Sequence, residues 1–210
     1  MQLPVSVNAE PRLVECDFAT VNDVKIIALW TRIPKSGDNT MVQDAAEFAG
    51  LACKRWRFYR RAGRFAQSLP QLRDIIARDP QAEVALLLAI RAPWHRPDPQ
   101  LGVCLSRRTW SNNLCLDFLA VDPRLKRSGA TAITGLAIGL LYYVCAVGKH
   151  LQSAIIWGES TPLSAGFYRH QFGVPDITDF FHLNLTVRSQ FQERTVARWQ
   201  TSGLALQLQL

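Results

Sequence analysis

The stretch VDPRLKRSGATAITGLAIGLLYYVCAVG, residues 121 to 148, sets four charged residues ahead of a Ser-Gly-Ala turn and then carries no charge from Ser128 through Gly148. A helix starting at that turn would offer the unpaired N–H groups of its first turn, aided by the macrodipole, to an anion. Gly129 lets the backbone approach phosphate oxygens closely, and Arg124, Lys126 and Arg127 add positive charge beside it. Phosphate binding is the chemistry this pattern suits; a solvated basic turn before a core helix is the competing reading. A second basic run, KRWRFYRRAGRF, interleaves arginine with Trp56, Phe58 and Tyr59. That composition fits a nucleic-acid surface or, more simply, an amphipathic helix with a solvated face. The histidines (His95, His150, His170, His182) and five scattered cysteines share no ligand spacing, so no metal site is expected.

These residues have to be positioned by an order of strands and helices. Residues 24 to 30, VKIIALW, read as a first strand, followed by the loop RIPKSGDNT. From Val42 to about Phe65 the residues Ala45, Phe48, Ala52, Trp56, Tyr59 and Gly63 recur at helical spacing, and Ser68 looks like the N-cap of a short helix through Ala77. VALLLAI (84 to 90), LGVCLS (101 to 106) and LCLDFLAV (114 to 121) read as three strands, with APWHRPDP as a loop and Asn112-Asn113 as a turn. The uncharged segment reaches the roughly 20 residues that cross a bilayer. Because strands precede and follow it, the next being LQSAIIW (151 to 157), it is expected to be the buried crossover helix of a parallel βαβ unit. A helix TPLSAGFYRHQF (161 to 172), a strand ITDFFHLNLTV (177 to 187), a helical run SQFQERTVARW and an alternating edge strand LALQLQL complete the chain. The fold class is α/β, a mixed sheet with helices on both faces.

Length and composition agree with that class. The 210 residues, 48% of them hydrophobic, suit a single domain spanning 1–210 with an ordinary soluble core. A net charge of +7 favours anionic partners without choosing among phosphorylated cofactors, nucleic acid and anionic lipid. Odd, scattered cysteines point to reduced thiols in the cytoplasm. The start MQLPVSVNAEPRL has no basic region followed by an apolar one, so no export signal supports glycosylation at Asn184-Leu-Thr.

The strand LCLDFLAV with DPRLKRSGAT and a helix behind it resembles motif A of the GNAT acyltransferase superfamily, the acyl-CoA-dependent N-acetyltransferases. The family pattern is Gln or Arg, two residues, Gly, one residue, then Gly or Ala; here Lys126-Arg-Ser-Gly129-Ala-Thr131 stands in its place, departing at Lys126 and Thr131. GESTPLSAGFYRHQFGV is similar to motif B, with Phe167-Tyr168 and Gly173-Val174 in the expected places. Thr161 stands where the family often has Asn, and the gap from Tyr168 to Gly173 is one residue longer than usual. The resemblance covers residues 114 to 174.

The resemblance implies a mostly antiparallel sheet with one splayed parallel strand pair, acetyl-CoA or another acyl-CoA as co-substrate, and an amine acceptor. The strand before the loop would carry a bulge, and N–H groups around Leu119 and Val121 would meet the cofactor and polarise the thioester carbonyl. The pyrophosphate would sit on residues 127 to 132 (Arg127, Ser128, Gly129, Ala130, Thr131, Ala132), with Lys126 beside them and the 3′-phosphate on Arg124 or Arg127. Tyr168 would protonate the departing thiolate, its alternative being plain packing beside Phe167. Asp117, on the same strand face as Leu119 by alternation, is one candidate base, with backbone capping as its structural alternative; Glu159 is the second. Against the enzyme stands a noncatalytic module of the same fold that binds nucleic acid or a protein through the basic helix 54–64. No membrane partner is expected, nucleic acid is not the favoured partner, and a homodimer is compatible with the sequence.

Overall fold

The computed structural model describes residues 1–32, 40–96, 98–126 and 132–201. Its sheet begins with a hairpin of β1 (Gln2–Val7) and β2 (Glu10–Phe18), turned at Asn8 and Ala9, which both have positive φ (50° and 70°). Paired left-handed residues make the tight turn that suits twisted strands, but Ala in that conformation gives no signal in the sequence.

Residues 24–30, expected to be a strand, belong instead to α1 (Val21–Ala28) and a 3-10 turn (Leu29–Arg32). The reason is a capping box: Asp23 N–H donates to Thr20 Oγ1 at 3.2 Å, and Thr20 N–H donates to Asp23 Oδ2 at 2.6 Å. Val24 and Ile27, three apart, then face the core as a helix requires. Helix α2 (Thr40–Arg61) and the Ser68-capped α3 (Leu69–Arg78) follow the sequence reading, with a two-residue β3 (Phe65–Ala66) between them.

Strands β4 (Val84–Arg91), β5 (Gln100–Arg108) and β6 (Leu114–Val121) form the antiparallel centre. Their near-continuous apolar character reflects burial on both faces. Along β4, Leu86, Leu88 and Ile90 enter one hydrophobic cluster, whereas Ala85, Leu87 and Ala89 enter the other, against α1 and α2. After a second 3-10 turn (Pro123–Lys126), a short β7 (Ile133–Thr134) pairs with β1, Val7 opposite Ile133.

Helix α4 (Leu136–His150) therefore starts later than the expected Ser128. Its N-cap is Gly135 at φ 93°, a left-handed geometry that ends the strand and cannot lie inside a helix. With 15 residues closing on Lys149 and His150, it is a crossover helix, and none of the described helices is long and apolar enough to cross a membrane.

The expected strand 151–157 shrinks to β8 (Ile156–Glu159), because Leu151 to Ser153 wrap the end of α4, with Ser153 N–H donating to Gly148 O at 2.9 Å. Helix α5 (Pro162–Phe172) starts on a Thr161 capping box. The strand expected at 177–187 is β9 (Phe180–Leu183), cut short where Asn184 accepts from Val187 N–H and opens α6 (Leu185–Thr201). LALQLQL lies outside the described residues. The sheet order is β7-β1-β2-β4-β5-β6-β8-β9, with β3 beside β4. It is a mostly antiparallel α/β sheet whose long crossover joins the parallel pair β6 and β8, with helices on both faces.

Candidate active site

The register between β5 and β6 jumps once. Leu105 faces Phe118 and Ser106 faces Leu116, so Asp117 is a bulge residue without a partner. On its other edge β6 pairs with β8 over only Leu114 to Leu116, opposite Ile156 to Gly158, and the two strands part where the bulge begins. Asp122 N–H donates to Leu101 O of β5 at 2.9 Å, which fixes the phase of the end of β6. By strand alternation the N–H groups of Leu119 and Val121 then point to the other edge, into the gap.

A cavity of about 350 Å³ occupies this gap. Leu119 and Val121 form one side, Ala137 and Ile138 of the first turn of α4 the next, Phe167 and Tyr168 of α5 the third, and Asp44 and Phe48 of α2 close it. Two of the residues singled out on β6 thus meet Tyr168 around one hollow. The first N–H groups of α4 have no side-chain cap, and the earliest helical bond is Gly139 N–H to Gly135 O at 2.9 Å.

Tyr168 is 5% exposed and sits in an aromatic nest, 4.6 Å from the Phe181 ring, 5.3 Å from Phe167 and stacked on Phe172 at 5.8 Å. Burial pushes its phenol well above the usual value, so it is protonated at neutral pH. Its hydroxyl has no hydrogen-bond partner among the described residues. The ring is held by packing against Phe167, Phe172 and Phe181.

Asp117 is placed differently from the alternation argument. The bulge turns both Asp117 and Phe118 toward α2, where Arg55 Nη1 donates to Asp117 Oδ1 at 3.0 Å and lies over the Phe118 ring. Arg107 grips the same carboxylate through Nε and Nη2. Asp117 does not line the cavity. Glu159, exposed at the end of β8 opposite Phe180, does not line it either.

Arg124 is held by Asp122, Nε to Oδ1 at 2.9 Å, and by Asp98, so two carboxylates already match its charge. Ala132 exchanges both backbone groups with Asn8: its N–H donates to Asn8 Oδ1 and its carbonyl accepts from Asn8 N–H at 2.9 Å. The expected pyrophosphate position at Ala132 is therefore spent on the β1–β2 turn. Arg127, Ser128, Gly129, Ala130 and Thr131, and the side chain of Lys126, lie outside the described residues.

Asp44 escaped the sequence reading. Its neighbours Ala45 and Phe48 were visible as the apolar face of a helix, but nothing local says that α2 passes the mouth of a gap opened by β6. It is the one carboxylate on the described cavity wall and has no ion-pair partner among the described residues.

No protein-family model matches the chain, and no curated protein sequence does. Among solved structures, an acetyltransferase of the GNAT family from Staphylococcus aureus Mu50 matches at 12% identity and TM-score 0.43, over 82% of this chain and 99% of that one. The GNAT domain of S. lividans PAT matches at 14% identity and TM-score 0.45, over 88% of this chain and 97% of that one. A spermidine N-acetyltransferase chimera from Vibrio cholerae and hSSAT matches at 9% identity and TM-score 0.43, over 85% and 98%.

Proposed function

We propose that the chain is an N-acyltransferase that moves an acetyl or other acyl group from acyl-CoA to an amine by direct attack. The observation that carries this reading is the gap beside β6, opened at the Asp117 bulge, into which two unpaired strand N–H groups and Tyr168 converge. The thioester arm would lie along β6, its carbonyl oxygen accepting from the Leu119 or Val121 N–H, which stabilises the negative charge that develops during attack. The first turn of α4, at Leu136 to Ile138, suits the diphosphate.

In the reaction the amine nitrogen forms a bond to the carbonyl carbon, the carbon–sulfur bond breaks, the Tyr168 phenol gives its proton to the leaving thiolate, and the proton that the nitrogen sheds on becoming an amide restores the phenol through solvent. An amine with pKa about 10.4 must first lose a proton, at a cost of roughly 4 to 5 kcal/mol at neutral pH. Asp44 is the carboxylate on the cavity wall that can take it, directly or through water, while Asp117 is committed to Arg107 and Arg55. Five buried, unpaired cysteines support a reducing compartment, the cytoplasm, for this work.

Calorimetric titration with acetyl-CoA tests the reading. In Ala137→Glu the helix N-terminus tolerates the new carboxylate, which then stands in the cavity and repels phosphate. Binding to the wild type that disappears in the folded variant is expected; no binding to the wild type, or equal binding to both, would put the site elsewhere or nowhere.

A further inference from the structure

A second hollow lies at the other end of α2. Lys25 of α1 and Arg57, Arg60 and Arg61 of α2 surround a groove of about 490 Å³ whose apolar side is formed by Val21, Val24 and Trp56. Asp44 and Arg57 are separated by 13 residues of one helix, so the two cavities lie about 20 Å apart along it.

Arg55, Arg91, Arg107 and Arg124 each grip a carboxylate. None of the four groove cations has a carboxylate within ion-pair distance among the described residues; Arg60 has only the Trp56 ring, 5.2 Å from its guanidinium carbon. Arg57, Arg60 and Arg61 stand at spacings that put like charges side by side on a helix, a repulsion that an anion in the groove would reverse. Trp56 is 2% exposed, and its indole N–H is buried without an acceptor among the described residues.

We propose that this groove is a binding site for a small polyanion, a phosphate-bearing molecule no larger than a nucleotide. Its volume falls in the range of small-molecule pockets, and its cations converge on one concavity, whereas a nucleic-acid track would string them out beside stacking platforms. Phe58, the aromatic side chain of α2 exposed enough to stack a base (66%), does not line it. The proposal is independent of acyl transfer.

The probe is inorganic triphosphate, titrated at low and at moderate salt into the wild type and into the Arg57→Gln/Arg61→Gln double variant. Both arginines are exposed, so the fold should persist, which thermal unfolding checks. Expected is salt-sensitive binding to the wild type, weakened by about tenfold or more in the double variant and unchanged in Ala137→Glu. Acetyl-CoA binding should be the same in the double variant and the wild type. Absence of triphosphate binding, or equal affinity in the double variant, overturns the proposal. So does a single-stranded oligouridylate that binds the groove more tightly than triphosphate with affinity growing with length, since that behaviour belongs to a nucleic-acid track.

Discussion

Arg107 reaches across the β5–β6 ladder to Asp117, Nε to Oδ2 at 2.6 Å and Nη2 to Oδ1 at 2.8 Å, at the one residue that β6 carries in excess of its partner. The ion pair and the bulge occupy the same place. A bulged residue has no ladder bond to hold it, and Arg107, also tied to Glu83 at 3.0 Å, supplies the missing attachment. The ion pair with Arg107 thus anchors the bulged residue on the face of the sheet opposite the cavity.

Asp117→Asn keeps the shape and removes the charge. Breaking a buried pair costs about 3–5 kcal/mol, and the partly exposed Arg55 and Arg107 lower the expectation to about 2 kcal/mol. Urea unfolding should show that loss, whereas acyl transfer per folded molecule should be retained. A variant as stable as the wild type but inactive would instead make Asp117 a catalytic carboxylate.

Tyr168→Phe preserves the aromatic nest and deletes the proton. Removing a positioned acid typically costs 10²- to 10⁴-fold in rate, so turnover of acetyl-CoA should collapse while its affinity and the melting temperature hold. Because burial keeps the phenol protonated beyond the usual range, loss of rate as pH rises from 7 toward 10 should not originate at this residue. Equal turnover in the two proteins would leave Tyr168 with packing alone.

How legible the molecule was follows from how local each cause is. The run Val84 to Ile90 and the cap Ser68 announce themselves because burial on both faces and side-chain capping are written within a few residues. The Thr20–Asp23 capping box was equally local, yet the β-branched run VKIIALW masked it. Asp117 could not be read correctly by alternation, because the bulge is a property of register between two strands. Asp44 and the groove at Arg57 arise where α2 passes other elements, so no window of sequence contains them.

Gly158 closes the paired part of β6 and β8, and its missing side chain is what lets them close. A Cβ there would stand 2.9 Å from Leu116 O and 2.8 Å from Phe181 Cζ, both closer than such contacts allow. Overpacking of this kind costs about 1–3 kcal/mol. Gly158→Ala should lower the urea midpoint by a corresponding amount and shift acetyl-CoA affinity, because β8 is pushed outward where the gap begins. An unchanged midpoint would mean that the two strands are not held this tightly.

Asp23 links the cap of α1 to the sheet and sets a pH dependence. It is 2% exposed, and burial alone would raise its carboxyl; hydrogen bonds from Arg91 and from Thr20 outweigh that and hold it below its ordinary value. With a folded pKa below the unfolded one, the unfolded chain binds the proton more readily. The stabilisation is therefore complete above the unfolded value of about 4 and is lost as pH falls below it. Removing the charge leaves Arg91 without its partner and Gln100 Nε2 without a charged acceptor. The wild type should thus exceed Asp23→Asn in stability at pH 7, and the gap should narrow as pH is lowered from 5 to 3. Urea unfolding of both proteins across that range measures the difference directly, and a gap that stays constant to pH 3 would separate acid sensitivity from this carboxylate.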